Sequence, residues 1–142
     1  MEVMHNPFRI SNGFAEDDPN LLPSVDVSQP NALLLRCPLA NVTPLKILKE
    51  FGGAGEVYVK DERTRMGVGS FKALGAAYVI AHAAQNVDQS GITYVTASAG
   101  NHGISVAAGA QAFGAQSVIF LSHQVPKSFA GRLEEYGAKV IF

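Results

Sequence analysis

Hydrophobic spacing changes period several times after residue 43, and each change marks a predicted element. Glu56-Val57-Tyr58-Val59-Lys60 alternates apolar with polar and predicts a strand. From Ser70 to about Asn86, apolar residues fall on nearly every side (Phe71, Leu74, Ala77, Tyr78, Ile80, Ala81). That pattern predicts a helix capped by Ser70 and buried at the centre of the fold. Short apolar runs over 92–96, 117–121 and 139–142 predict strands, and the segments 102–113 and 126–136 between them predict helices. Strand, helix, strand at this spacing gives βαβ units on a parallel sheet, hence an α/β fold. Thr43-Pro44 suits a helix start, with Thr as cap and Pro in the first turn, and predicts a short helix ending near Gly52-Gly53.

Charge sharpens this picture. Between Met66 and Gly131 the only charged residues are Lys72, Asp88 and Lys127, so that stretch is expected to lie mostly in the interior. Six of the seven prolines fall in the first 44 residues, beside Ser11-Asn12-Gly13 and Asp17-Asp18-Pro19-Asn20. Residues 1–42 therefore read as an irregular arm and 43–142 as the α/β region. Val140-Ile141-Phe142 reads as a sheet strand with no helix after it to cover the sheet, so the expectation is the front part of a longer protein, its second half absent.

Composition then removes whole classes. The chain has 142 residues, 47% of them apolar, and a formal net charge of -1, which leaves no electrostatic footprint for nucleic acid or an anionic membrane. A single cysteine, Cys37, excludes an intrachain disulfide framework and fits a reducing, cytoplasmic setting. No apolar run reaches the ~18 residues of a membrane span, and the first residues carry no secretory pattern. His5, His82, His102 and His123 have no helical ligand spacing among themselves, so no metal site is expected; His82 reads as a hydrogen-bonded core histidine.

Two segments could carry chemistry. In Gly67-Val68-Gly69-Ser70-Phe71-Lys72-Ala73-Leu74-Gly75, the nearest acidic residues to Lys72 are Glu62 and Asp88. Such neighbours predict a lysine held away from water, a setting in which an amine serves as nucleophile toward a carbonyl, while the glycines let the backbone approach a ligand. The bland alternative is a surface lysine whose stem lies along the helix. In Thr96-Ala97-Ser98-Ala99-Gly100-Asn101-His102-Gly103, a predicted strand turns into a predicted helix. Backbone N–H groups and the positive end of the helix dipole then meet at the carboxyl edge of a parallel strand, where a small anion such as a carboxylate is bound well. An ordinary capped βα turn would look the same. Neither segment is a nucleotide loop, and Ala97-Ser98-Ala99-Gly100 is not a hydrolase elbow.

Together, Ser70-Phe71-Lys72 opening a helix and Ser98-Ala99-Gly100-Asn101-His102-Gly103 further along resemble the fold-type II pyridoxal-phosphate enzymes, the tryptophan synthase β superfamily. The likeness runs from Thr43-Pro44-Leu45 to the last residue and takes in Val59-Lys60-Asp61-Glu62, Val125-Pro126-Lys127 and Gly137-Ala138-Lys139-Val140. It implies pyridoxal 5'-phosphate as cofactor, held by Lys72 as a Schiff base, with Lys72 also the base for the substrate α-proton. It further implies that Asn101 bonds the ring hydroxyl, that Phe71 packs near the ring, and that Ser98, Ala99, Gly100, Asn101 and His102 grip the substrate carboxylate. The residues from Arg65 to Gly75 look most like diaminopropionate ammonia-lyases, whereas Ala99 stands where those enzymes carry Asp, and Ser-Ala-Gly-Asn-His is the form seen in threonine dehydratases and threonine synthase. The implied reaction is α,β-elimination with loss of ammonia from a small amino acid. A replacement enzyme of the threonine or cysteine synthase kind, or a non-catalytic fragment that binds a small ligand or a partner, are the alternatives. The family's Gly-rich phosphate cradle has no counterpart after Lys72, so this segment alone is expected to be inactive. Homodimers are common in the superfamily.

Overall fold

The computed structural model describes residues 26–53 and 55–142. In chain order the elements are α1 (Ser28–Leu34), β1 (Leu45–Lys49), β2 (Glu56–Lys60), α2 (Lys72–Ala84), β3 (Thr93–Ala97), α3 (Asn101–Ala112), β4 (Gln116–Phe120), α4 (Lys127–Glu134) and β5 (Lys139–Ile141). Short 3-10 turns lie at Phe51–Gly53 and Arg65–Gly67.

The parallel sheet is present as expected: β3, β4 and β5 pair in that order, all parallel, with β4 in the middle. Its register sets Tyr94 beside Ser117, and Thr96, Ile119 and Val140 in one row across the sheet. These residues share one face, and α3 covers it; Ser117 and Ile119 are buried beneath the helix. Small residues make that close approach possible, since α3 buries Gly103, Ser105, Ala107, Gly109 and Ala110. The core is Ile104, Val106, Ala107, Ile119, Leu121 and Leu133, joined by Ala76, Ala130 and Ala138.

The opposite face is bare among the described residues. Val95 is 60% exposed and Phe120 44%. The neutral stretch is therefore not mostly interior, because low charge marks surface that a neighbour could cover as well as surface already covered.

The hairpin corrects a second expectation. Thr43-Pro44 opens a strand, not a helix: β1 runs antiparallel to β2, with Leu45 opposite Lys60 and Ile47 opposite Tyr58. The Thr43 hydroxyl is engaged by Glu62 and Arg65 and caps nothing, and the Pro44 carbonyl accepts the Asp61 amide at 2.9 Å. A residue before proline is pushed out of the helical region, which favours the strand once a partner is in reach. The turn after β1 uses left-handed backbone at Glu50, Gly52 and Gly53, conformations glycine adopts readily.

The arm expected over residues 1–42 is tested only in part, since residues 1–25 lie outside the described residues. The remainder is not irregular throughout: it holds α1, whose first amide donates to Asp26 Oδ1 at 2.9 Å. α1 rests on α2, where the Tyr78 hydroxyl reaches Gln29 Oε1.

α2 is helical but not central. Ala73, Ala76 and Ile80 form its buried stripe, packed against α3, while Val79 is 60% exposed. His82 lies on its exposed side against the Tyr78 ring, not in the core.

Candidate active site

Lys72 is the first residue of α2, and the turn before it sets its direction. Gly67 and Gly69 have left-handed backbone, as does Met66, a residue with a side chain. At Gly69 a Cβ would stand 3.1 Å from the Arg63 carbonyl, so the chain crosses itself where only glycine fits easily. Ser70 is buried, and its hydroxyl accepts the Lys72 backbone amide at 3.3 Å. The hydroxyl thus serves the helix start and not the amine beside it. The Lys72 side chain is exposed, with Nζ 5.0 Å from the centre of the Phe71 ring. The apolar neighbours in sequence do not shield it among the described residues, because α2 turns that side outward.

Behind this turn is a cluster that sequence reasoning did not single out. Arg65 donates from Nε to Glu62 Oε2 at 2.6 Å and from Nη2 to Glu62 Oε1 at 2.8 Å, a two-point ion pair. Nη2 also donates to Thr43 Oγ1 at 2.8 Å and Nη1 to the Asn41 carbonyl at 2.9 Å. Thr43 in turn donates to Glu62, and Lys60 Nζ donates to the Thr43 carbonyl. The Arg65 guanidinium, then the Thr43 hydroxyl, hold the Glu62 carboxyl down at about 2. Asp61 is held well below the usual carboxylate range by Arg63 and then Lys46. The available signal was an acid and a base three residues apart just ahead of a glycine-rich turn.

The second segment folds as predicted, at the carboxyl end of β3. Gly100 is the residue before α3, and no side chain caps the helix. The Asn101 and His102 amides, in the first turn, have no protein acceptor among the described residues. Ser98 Oγ accepts the Gly103 amide at 3.1 Å. A Cβ on Gly103 would lie 2.6 Å from the Ser98 carbonyl, so the loop closes tightly enough to require glycine there. Ala99, Asn101 and His102 are exposed; Ser98 and Gly100 are half-buried.

The two segments meet in one cavity of about 430 Å³ between α2 and α3. Phe71, Lys72, Gly75 and Val79 line it from α2, His102 and Val106 from α3, with Ala76, Ile80 and Tyr94 as its floor. The Tyr94 hydroxyl is turned aside to Gln89 Oε1 at 2.7 Å, so the ring presents an apolar face. Asn101, Ser98 and Ala99 are not among the lining residues. No group of three or more metal-ligating side chains occurs among the described residues.

The fold is thus α/β, with the Lys72 amine at the start of α2 and the glycine loop at the carboxyl end of β3 bordering one cavity. The profile of the family described as "Pyridoxal-phosphate dependent enzyme" matches residues 37–142, and the chain belongs to that family. It is similar to L-threonine ammonia-lyase of Thermotoga maritima, with 40% identity over 95 residues, covering 67% of this chain and 23% of that protein. It is similar to diaminopropionate ammonia-lyase of Escherichia coli K12, with 30% identity over 118 residues, covering 70% of this chain and 30% of that protein. Among solved structures, the Escherichia coli diaminopropionate ammonia lyase in complex with D-serine superposes with a TM-score of 0.70 at 27% identity, over 80% of this chain and 35% of that one. The chain thus spans about a quarter to a third of the length of the curated relatives it matches.

The family's cofactor is pyridoxal 5'-phosphate, and the residues present suit its aldehyde and ring end. The Lys72 amine and the Phe71 ring line a mostly apolar cavity from α2, with His102 lining it from the first turn of α3. The described residues offer no glycine-rich cradle for its phosphate.

Proposed function

We propose that this chain supplies the lysine and the carboxylate-binding loop of a pyridoxal-phosphate-dependent lyase, one that eliminates ammonia from a small amino acid of the diaminopropionate, threonine or serine type. The observation that carries the reading is that Lys72 and His102, far apart in sequence, line the same cavity. Lys72 would hold the cofactor through Nζ, Phe71 would pack beside its ring, and Asn101 would bond the ring hydroxyl. The open amides of Asn101 and His102 would take the substrate carboxylate, with Ser98, Ala99 and Gly100 shaping the loop around it. Fixing the carboxylate there orients the Cα–H bond toward Lys72, whose amine would take the α-proton. The cofactor, when bound, supplies a conjugated ring that accepts the electron pair left on Cα. Residues 43–142 form the working α/β region in this reading, residues 1–42 an accessory arm, and the setting is the cytoplasm.

The test is a tag. The chain is incubated with pyridoxal phosphate, reduced with borohydride and mapped by peptide mass. The tag is expected chiefly on Lys72, and Lys72→Ala removes it; a tag spread evenly over Lys46, Lys49, Lys60, Lys127 and Lys139 would sink the assignment.

A further inference from the structure

We propose that Arg65 is the positioning residue for Lys72: its side chain locks the turn to the hairpin, and its backbone sets the turn that launches α2. The inference rests on the reading above for its purpose, though its geometry stands alone.

The guanidinium makes four hydrogen bonds to three partners, Glu62, Thr43 and Asn41. Those partners sit on opposite sides of the hairpin, Asn41 and Thr43 ahead of β1 and Glu62 after β2. Its side chain is only 11% exposed and three of the four bonds are partly buried, a setting in which an ionised donor contributes more than in open water. The same residue's carbonyl accepts both the Val68 and the Gly69 amides, each at 3.0 Å. Between them lie Met66 and Gly67 in left-handed backbone, a path that Met66 adopts only under constraint. Gly69 leads straight to buried Ser70, whose hydroxyl holds the Lys72 amide. A continuous run of bonds therefore connects Thr43 to the first residue of α2.

This arrangement explains why an exposed lysine can be directed. Lys72 Nζ has no ion-pair partner among the described residues and lies 5.0 Å from the centre of the Phe71 ring. The backbone at Lys72 sets the point and the Cα–Cβ direction from which the side chain departs, and that backbone is tied through Arg65. A lysine at 65 could not replace it, because one ammonium cannot span three acceptors in the planar fork.

The test uses the whole chain and two readouts. Amide hydrogen exchange is followed at Val68, Gly69 and Lys72, with Val118 and Ile119 of β4 as internal controls; the pyridoxyl tag on Lys72 is measured as a share of all tagged lysines. Arg65→Met is expected to speed exchange at the three turn amides about tenfold or more and leave β4 unchanged. The share of tag on Lys72 is expected to fall several-fold. Thr43→Val should act in the same direction more weakly, and Thr43→Ser, which keeps the hydroxyl, should restore wild-type behaviour. Unchanged exchange at all three amides in Arg65→Met would overturn the proposal. Should that variant also lose protection in β4, the Thr43 pair decides: equal exchange in the Val and Ser variants overturns it. A wild-type chain with no enrichment of tag at Lys72 defeats the lyase reading instead, while exchange still decides the role of Arg65.

Discussion

At position 103 a methyl group has nowhere to go, because the atom it would strike is the Ser98 carbonyl, part of the backbone of its own loop. Gly103→Ala is expected to cost about 1–3 kcal/mol, read as a lower urea midpoint, and to open the loop that carries Asn101 and His102. Glu62 supports a second prediction at this scale. Its carboxyl is lowered from an ordinary 4.5 to about 2 by Arg65 and Thr43, so its contribution is complete above the unfolded value. It is lost as pH falls from about 4.5 toward about 2, when the proton displaces the ion pair. Urea midpoints measured across that range should fall steeply in the wild type and more gently in Glu62→Gln, with Asp61 contributing the remaining slope. Equal slopes would show that the pair does nothing for the fold. That the Lys72 turn and the 98–103 loop sit at element starts was legible in the sequence because each depends on local residue types, whereas the exposure of Lys72 was not. The Arg65 cluster was not, since its partners Asn41 and Thr43 lie 24 and 22 residues back and meet it only once the hairpin closes.

Elements were legible to the degree that their partners were local. The strands and helices from residue 92 onward came out within a residue or two of their expected bounds, because each βα unit packs on the next. The segment 45–49 was misread as helix for the opposite reason. Lys46, Ile47, Leu48 and Lys49 carry no decisive period, and the strand is selected by β2 across the turn. For α2, an all-round apolar pattern was correct about helix and wrong about depth, since one stripe meets α3, α1 touches another part, and Val79 is left exposed. The sheet lends itself to a paired measurement. Ile119, fully buried beneath α3, should lose about 2–5 kcal/mol as Ile119→Ala. Phe120, next in sequence on the bare face, should lose far less as Phe120→Thr. Comparable losses from the two would mean that the outer face is covered.

For the molecule as a whole, the described residues carry, on the proposed reading, the amine, the ring wall and the carboxylate loop, and no phosphate cradle. The chain on its own is accordingly expected to bind pyridoxal phosphate weakly and to release no detectable ammonia from threonine, serine or diaminopropionate. Absorbance titration with cofactor and an ammonia assay check this; tight saturable binding with turnover would show that these residues suffice. The parallel sheet, its βα loops and an apolar sheet face left uncovered were foreseen together; which residues would be bare was not, since a strand meant to be covered on both sides reads the same before and after its cover is present.

Gly109 offers a different use of the α2–α3 contact. A Cβ there would come within 2.8 Å of the δ-methyl of Ile80, a side chain that also floors the cavity. Unlike the carbonyl at Ser98, that methyl can swing away, and one direction open to it is the hollow itself. Gly109→Ala would then act as a dial on room for ligand, trimming the volume from beneath while leaving every reactive group where it stands.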